Sequence, residues 1–155
     1  FFGEVIATNK KEIPEINTLA IFKYHKIGVE LDTLPDTHLT SSFRGALSTS
    51  VKHYKNIMDA VQDLKAGKID AVAGLKSQLE YGLDYSKNKD KYFMTEEIPY
   101  AKSKWDLGVA VRTDFRALSY EIDGHMEELY KNGEIERIFK NYNISYEKPL
   151  VYQNY

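Results

Sequence analysis

Four histidines, His25, His38, His53 and His125, are the side chains of this 155-residue chain best suited to hold a metal ion. No two of them have the H-x-x-x-H spacing that stacks two rings on one helix face, and no two share an expected face. They are expected as isolated surface or packing residues, with no metal and no cofactor. Glu96 and Glu97 are adjacent carboxylates on an expected strand. Neighbours on a strand point to opposite faces, so they are not an acid–base pair. No nucleophile elbow, phosphate-binding loop or dinucleotide fingerprint occurs. No catalytic residue stands out, and the chain is expected not to be an enzyme. Asn143-Ile144-Ser145 fits a glycosylation sequon, which matters only in a eukaryotic secretory context.

Bulk properties narrow the class further. Hydrophobic residues make up 43% and charged residues 28%, as in ordinary globular domains, and 155 residues can bury one real core. A net charge of −2 gives no general attraction to nucleic acid or an anionic membrane. No apolar run approaches the roughly 18 residues of a membrane span. Cysteine is absent, which excludes disulfides and thiolate metal sites. The start, FFGEVIATNKK, lacks an initiator Met and a signal-like pattern, so a mature or truncated product is expected.

The elements that must position any site alternate between strand and helix. Residues 4–8 (EVIAT) and 26–31 (KIGVEL) read as strands, with a helical turn or two over 18–24 between them. Thr33, Pro35 and Asp36 have the order of a helix start running to about Gly45. A weak strand at 48–54 leads to a helix capped by Asn56, with Ile57, Val61 and Leu64 on one face and a stop at Gly67. Residues 69–73 (IDAVA) form a buried-type strand, and 75–85 a helix. Residues 86–91 are a lysine-rich, solvated loop. Strands are expected at 92–98 and 107–111 (LGVAV). The closing helix places Leu118, Ile122, Met126 and Leu129 in a core-facing stripe, Gly133 breaks it, and Ile135, Ile138 and Phe139 make a second short face. The tail from 143 has no clear period. The alternation from Lys26 to Ala73 argues for an α/β fold with a mostly parallel sheet flanked by helices on both faces.

Four segments, in order, resemble the extracellular solute-binding proteins of family 3, the periplasmic amino-acid-binding type. They are TLAIFKYHKIGVELDT (18–33), MDAVQDLKAGKIDAVAG (58–74), TEEIPYAKSKWDLGVAVRTDF (95–115) and ELYKNGEIERIFKNY (128–142). The resemblance implies a periplasmic-binding-protein type II-like lobe. Residues 1–112 would be the second of two lobes, 113–142 the C-terminal helices and 143–155 a tail, with the first lobe missing. It also implies a periplasmic or extracytoplasmic location, a small-molecule ligand and an ABC-transporter permease as partner. A signalling partner or a homodimer would also be compatible, and no nucleic acid is implied.

The family grips ligand at helix N-termini, whose free N–H groups and positive dipole end suit a carboxylate. The matching turns here supply Asp32, Thr33 and Leu34, and Gly74, Leu75 and Lys76. Thr33 keeps the family's threonine, whereas Asp32 replaces its glycine. With Asp36 nearby, these acids oppose an anionic ligand and suit a neutral or cationic one. A plain capped helix with solvated acids is the alternative. Leu75 stands where amino-acid binders of the family carry an Asp for the ligand's α-ammonium, and leucine cannot accept that hydrogen bond. The expected ligand is therefore not an ordinary amino acid, or binding is partly lost. Lys76 reads either as a partner for an acidic group or as a solvated surface lysine. The implied function is the ligand-binding module of a transport protein. The alternatives are an extracytoplasmic sensor domain, as in a histidine kinase, and an enzyme on the same fold.

Overall fold

A computed structural model describes residues 2–101, 104–149 and 152. The strands are β1 (Phe2–Asn9), β2 (Ile27–Glu30), β3 (Val51–Tyr54), β4 (Ala71–Leu75), β5 (Tyr92–Met94) and β6 (Lys104–Trp105). The helices are α1 (Leu34–Ser41), α2 (Ile57–Lys65), α3 (Lys76–Leu83), α4 (Arg116–Lys131) and α5 (Glu134–Asn141). The sheet order is β3-β2-β4-β1-β5, with β6 also on β1. β2 pairs in parallel with β3 and β4, which is the part where strand and helix alternate in sequence. β1 pairs antiparallel with β4, β5 and β6, so the sheet as a whole is mixed rather than mostly parallel.

Period-two alternation along the strands divides the core into two layers. Val5, Ala7 and Val72 face α2 and α3, where they meet Ile57, Val61, Leu64, Leu79 and Leu83. Ile6, Ala71 and Ala73 face the other way, against Phe22, Leu39, Leu47 and Ile98. The three α2 residues assigned to one face are buried, Asn56 accepts the Met58 N–H at 2.8 Å as its cap, and Gly67 follows the helix at φ +69°. Gly28 is where β2 passes closest under α2. A Cβ there would stand 2.8 Å from Ile69 Cδ1, 2.9 Å from the Tyr54 ring and 3.2 Å from Ala60 Cβ.

Two expectations are corrected. Residues 107–111 form no strand, and Leu107 and Val109 are exposed. An extended segment becomes a strand only with a partner for its backbone, and among the described residues none lies beside it. The α4 stripe does not face a core either. Leu118 is 47% exposed, Ile122, Met126 and Leu129 are half-buried, and α4 and α5 have no buried residue. The helices form because their sequence is amphipathic, but their apolar side is covered only in part, by residues 106–109, Pro149 and Tyr152 beside Ile122, Met126 and Tyr130. The tail is tied down at its start: Ser145 donates its N–H and hydroxyl to Glu80 Oε2 at 2.8 and 2.9 Å.

Gly28→Ala should lower stability by about 1–3 kcal/mol through overpacking. Gly124→Ala, with open space around it in α4, should be neutral or stabilising by up to about 1 kcal/mol. Urea unfolding of the two variants checks the contrast.

Candidate functional site

β2 and β4 both end at one edge of the sheet, at Glu30 and Leu75. β1 runs antiparallel to β4, so its start reaches the same edge, and Glu4 pairs directly with Leu75. The carboxyl ends of parallel strands are where open α/β sheets hold ligands. A cleft of about 170 Å³ lies there, lined by Glu4, Glu30, Thr33, Gly74, Leu75, Gln78 and Trp105 with Ile57 and Ala73.

Three of the six sequence-assigned residues, Thr33, Gly74 and Leu75, meet in this cleft. The others do not. Leu34 lines an adjoining cavity of about 380 Å³ that shares Glu4. Lys76 turns away and pairs with Glu147 at 3.7 Å. Asp32 is exposed at φ +60°, the left-handed conformation, which explains why a glycine suits this turn in the family. Its N–H donates to Asp36 Oδ2 at 3.1 Å, and Asp36 Oδ1 lies 2.9 Å from His53 Nε2. Asp36 therefore holds the backbone of the turn and β3, and neither Asp32 nor Asp36 lines the cleft.

Thr33 occupies the N-cap of α1 but makes no side-chain cap; its hydroxyl donates to Glu30 O at 2.7 Å. α3 likewise begins at Leu75 with no capping side chain and no acid in its first turn. α2 differs, because Glu30 Oε2 accepts the Ile57 N–H at 2.9 Å and Asn56 caps Met58. Two of the three helix starts at this edge therefore keep uncapped N–H groups.

Sequence reasoning missed Glu4, Glu30, Gln78 and Trp105. Glu4 is 7% exposed, and among the described residues its carboxyl has no hydrogen bond or ion pair. Burial raises its pKa from 4.5 to about 7. A glutamate opening an otherwise apolar strand word, EVIA, and a lone tryptophan between two expected strands were the available signals.

The histidines lie apart from one another. His25 Nδ1 lies 3.3 Å from Asp70 Oδ2 and His125 Nδ1 lies 3.9 Å from Glu128, and among the described residues no three His, Cys, Asp or Glu side chains gather as metal ligands would. Asp70 Oδ2 also accepts the Lys26 N–H at 3.0 Å, joining the starts of β2 and β4. No described helix is long and apolar enough to cross a membrane.

Known structures share this fold. An ancestral arginine-binding protein bound to glutamine superposes with a TM-score of 0.59 at 26% identity, over 91% of this chain and 59% of that one. This is the fold of amino-acid substrate-binding proteins. An ancestral cationic amino-acid solute-binding protein matches with a TM-score of 0.69 at 18% identity, over 92% of this chain and 58% of that one. A polar amino-acid ABC uptake transporter substrate-binding protein from Streptococcus thermophilus matches at 0.61 and 22%, over 94% and 56%. The chain thus spans somewhat under three fifths of the length of these solute-binding-protein-like neighbours. No protein-family model matches it, and no curated protein does.

Because the folded carboxyl binds its proton more tightly than the unfolded one, stability from Glu4 is full below pH 4.5 and lost as pH rises to about 7. Glu4→Gln should unfold like the parent at pH 4 and be more stable at pH 8 by on the order of 1–3 kcal/mol. Urea titrations at the two pH values decide, and a difference independent of pH would contradict the assignment.

Proposed function

We propose that this chain forms one wall of the ligand cleft of an extracytoplasmic amino-acid substrate-binding protein that serves an ABC transporter. The observation that carries the reading is the meeting of Thr33, Gly74 and Leu75 in one cleft at the strand ends. These are positions the family resemblance assigns to ligand. Uncapped N–H groups at the starts of α1 and α3 suit a ligand carboxylate. In this reading residues 1–112 grip the ligand, and the segment 113–142 belongs to the shared C-terminal helices. Closure about the pair β1 and β6, which run side by side through Phe2↔Trp105 and Gly3↔Lys104, would change the surface offered to the permease.

Leu75 removes an acceptor, so the α-amino group is recognised differently from the family's usual mode. The reaction is binding alone; no covalent step is involved.

One wall supplies part of the contacts, so affinity should be weak, about millimolar or roughly −4 kcal/mol. L-Arginine or L-glutamine titrated into the ¹⁵N-labelled chain should move the amide signals of Thr33, Gly74 and Leu75 and spare those of α5. Shifts confined to the outer face of α2, around Gln62 and Lys65, would overturn the reading.

A further inference from the structure

We infer that Glu4 receives the cationic group of a ligand, an ammonium or amidinium, in the cleft at the strand ends. The inference rests on the cleft being a ligand site, and it adds the chemical class that the cleft selects.

Glu4 is more than nine-tenths buried, lines both the cleft and the adjoining cavity, and has no partner among the described residues. Among the described residues only His38 Nε2 is a side-chain atom sealed from solvent without a partner, so the oxygens of Glu4 open on the cleft, where a ligand can reach them. Other acids near this edge are already committed. Glu30 holds the Ile57 N–H and Asp36 holds the Asp32 N–H. Glu4 is the described cleft acid whose oxygens are still free to accept.

The surroundings select the sign of the missing partner. No lysine, arginine or histidine is among the described residues lining the cleft. The titratable groups facing Glu4 are Glu30 on β2, across the cleft, and His38 on α1 and Tyr100, across the adjoining cavity. Nε2 of His38 is itself buried without a partner. A second acidic side chain, Glu30, across the cleft favours a cation over an anion beside Glu4, while a ligand carboxylate would sit at the helix starts.

Strand register gives the position. Glu4 and Leu75 are directly opposed on adjacent antiparallel strands, so their side chains share one face about 5 Å apart at Cβ. Leu75 and Trp105 offer apolar walls on either side of the acceptor. The carboxylate that position 75 lacks is thus supplied one strand over. A cation seated there favours the ionised carboxylate, so binding releases a proton from a group that is half protonated near neutrality.

Agmatine, which has two cationic groups and no carboxylate, is the probe, with succinate as the anionic control. L-Arginine and L-glutamine are titrated in parallel. Trp105, the single tryptophan, reports by fluorescence, and amide shifts locate the site. Agmatine should bind about tenfold tighter at pH 8 than at pH 6, following the ionised fraction of Glu4. Glu4→Gln should weaken agmatine by about tenfold or more and flatten the pH dependence, while Glu4→Asp keeps the dependence. The pH series on the unsubstituted chain needs no variant to fold.

Agmatine binding within twofold of the parent in Glu4→Gln, or succinate binding as well as agmatine, overturns the inference. If both amino acids move Thr33 and Gly74 equally in parent and Glu4→Gln, the cleft reading stands and the role of Glu4 falls. If agmatine binds through Glu4 and neither amino acid binds, the role of Glu4 stands and the amino-acid reading falls. No response to any probe overturns both.

Discussion

β1 lies between β4 and β5 with Val5, Ile6 and Ala7 fully shut from solvent, and both of its faces are spoken for. Val5 and Ala7 belong to the layer under α2 and α3, and Ile6 to the opposite layer. A slip of one residue would exchange the two sets, placing each side chain in a space shaped for another. Burial of each large aliphatic there is worth roughly 1.5–3 kcal/mol, so the register is strongly held. Thr95 reinforces it by accepting the Ile6 N–H at 2.9 Å, and Thr8 by donating its hydroxyl to Ile13 O at 2.6 Å. The position of Glu4 follows from this register. It sits one residue before the sealed segment, at the edge where β2 and β4 end.

The acids of the sheet and its flanking helices sort into two kinds. Asp70, Glu30 and Asp36 each accept a backbone N–H that would otherwise lack a partner, and each fastens one element to another. Asp63 gathers Lys52, Tyr54 and Lys68 within 3.0 Å, and these hydrogen bonds hold its carboxyl well below the usual carboxylate range. Glu4 fastens nothing. A group that costs stability when ionised and organises no backbone is what a preorganised ligand contact looks like in the unliganded protein.

Sequence patterning made most of the lobe legible. Apolar alternation located β1 and β4, and the Asn56 cap and Gly67 stop bracketed α2. These signals are local and act through two or four residues at a time. What stayed hidden depends on partners distant in sequence. Residues 107–111 have a strand's composition but pair with no strand among the described residues, and the stripe of α4 has a buried helix's period but only partial cover from them. Thr33 reads as a cap yet turns its hydroxyl to Glu30 O, because the left-handed Asp32 lets the chain fold back on β2. Within the cleft, Thr33, Gly74 and Leu75 are positions that the family resemblance assigns, at turns following strands that the sequence makes visible. Glu4 and Trp105 enter the same cleft through strand pairing across 71 and 103 residues, Glu4 with Leu75 and Trp105 with Phe2, and no local pattern carries that.

The sparse attachment of α4 and α5 has a consequence for how the chain comes apart. Among the described residues the sheet and its two layers hold every fully buried side chain, while α4, α5 and the segment after them reach the rest through contacts that include Ser145 on Glu80, Glu147 on Lys76 and Lys104, and the edge contact of Tyr142 with Tyr81. Such a chain is expected not to melt as one cooperative unit: its helical end should open at little free-energy cost while the sheet stays folded, so that backbone amides of α4 should exchange with solvent orders of magnitude faster than those of β1 and β4.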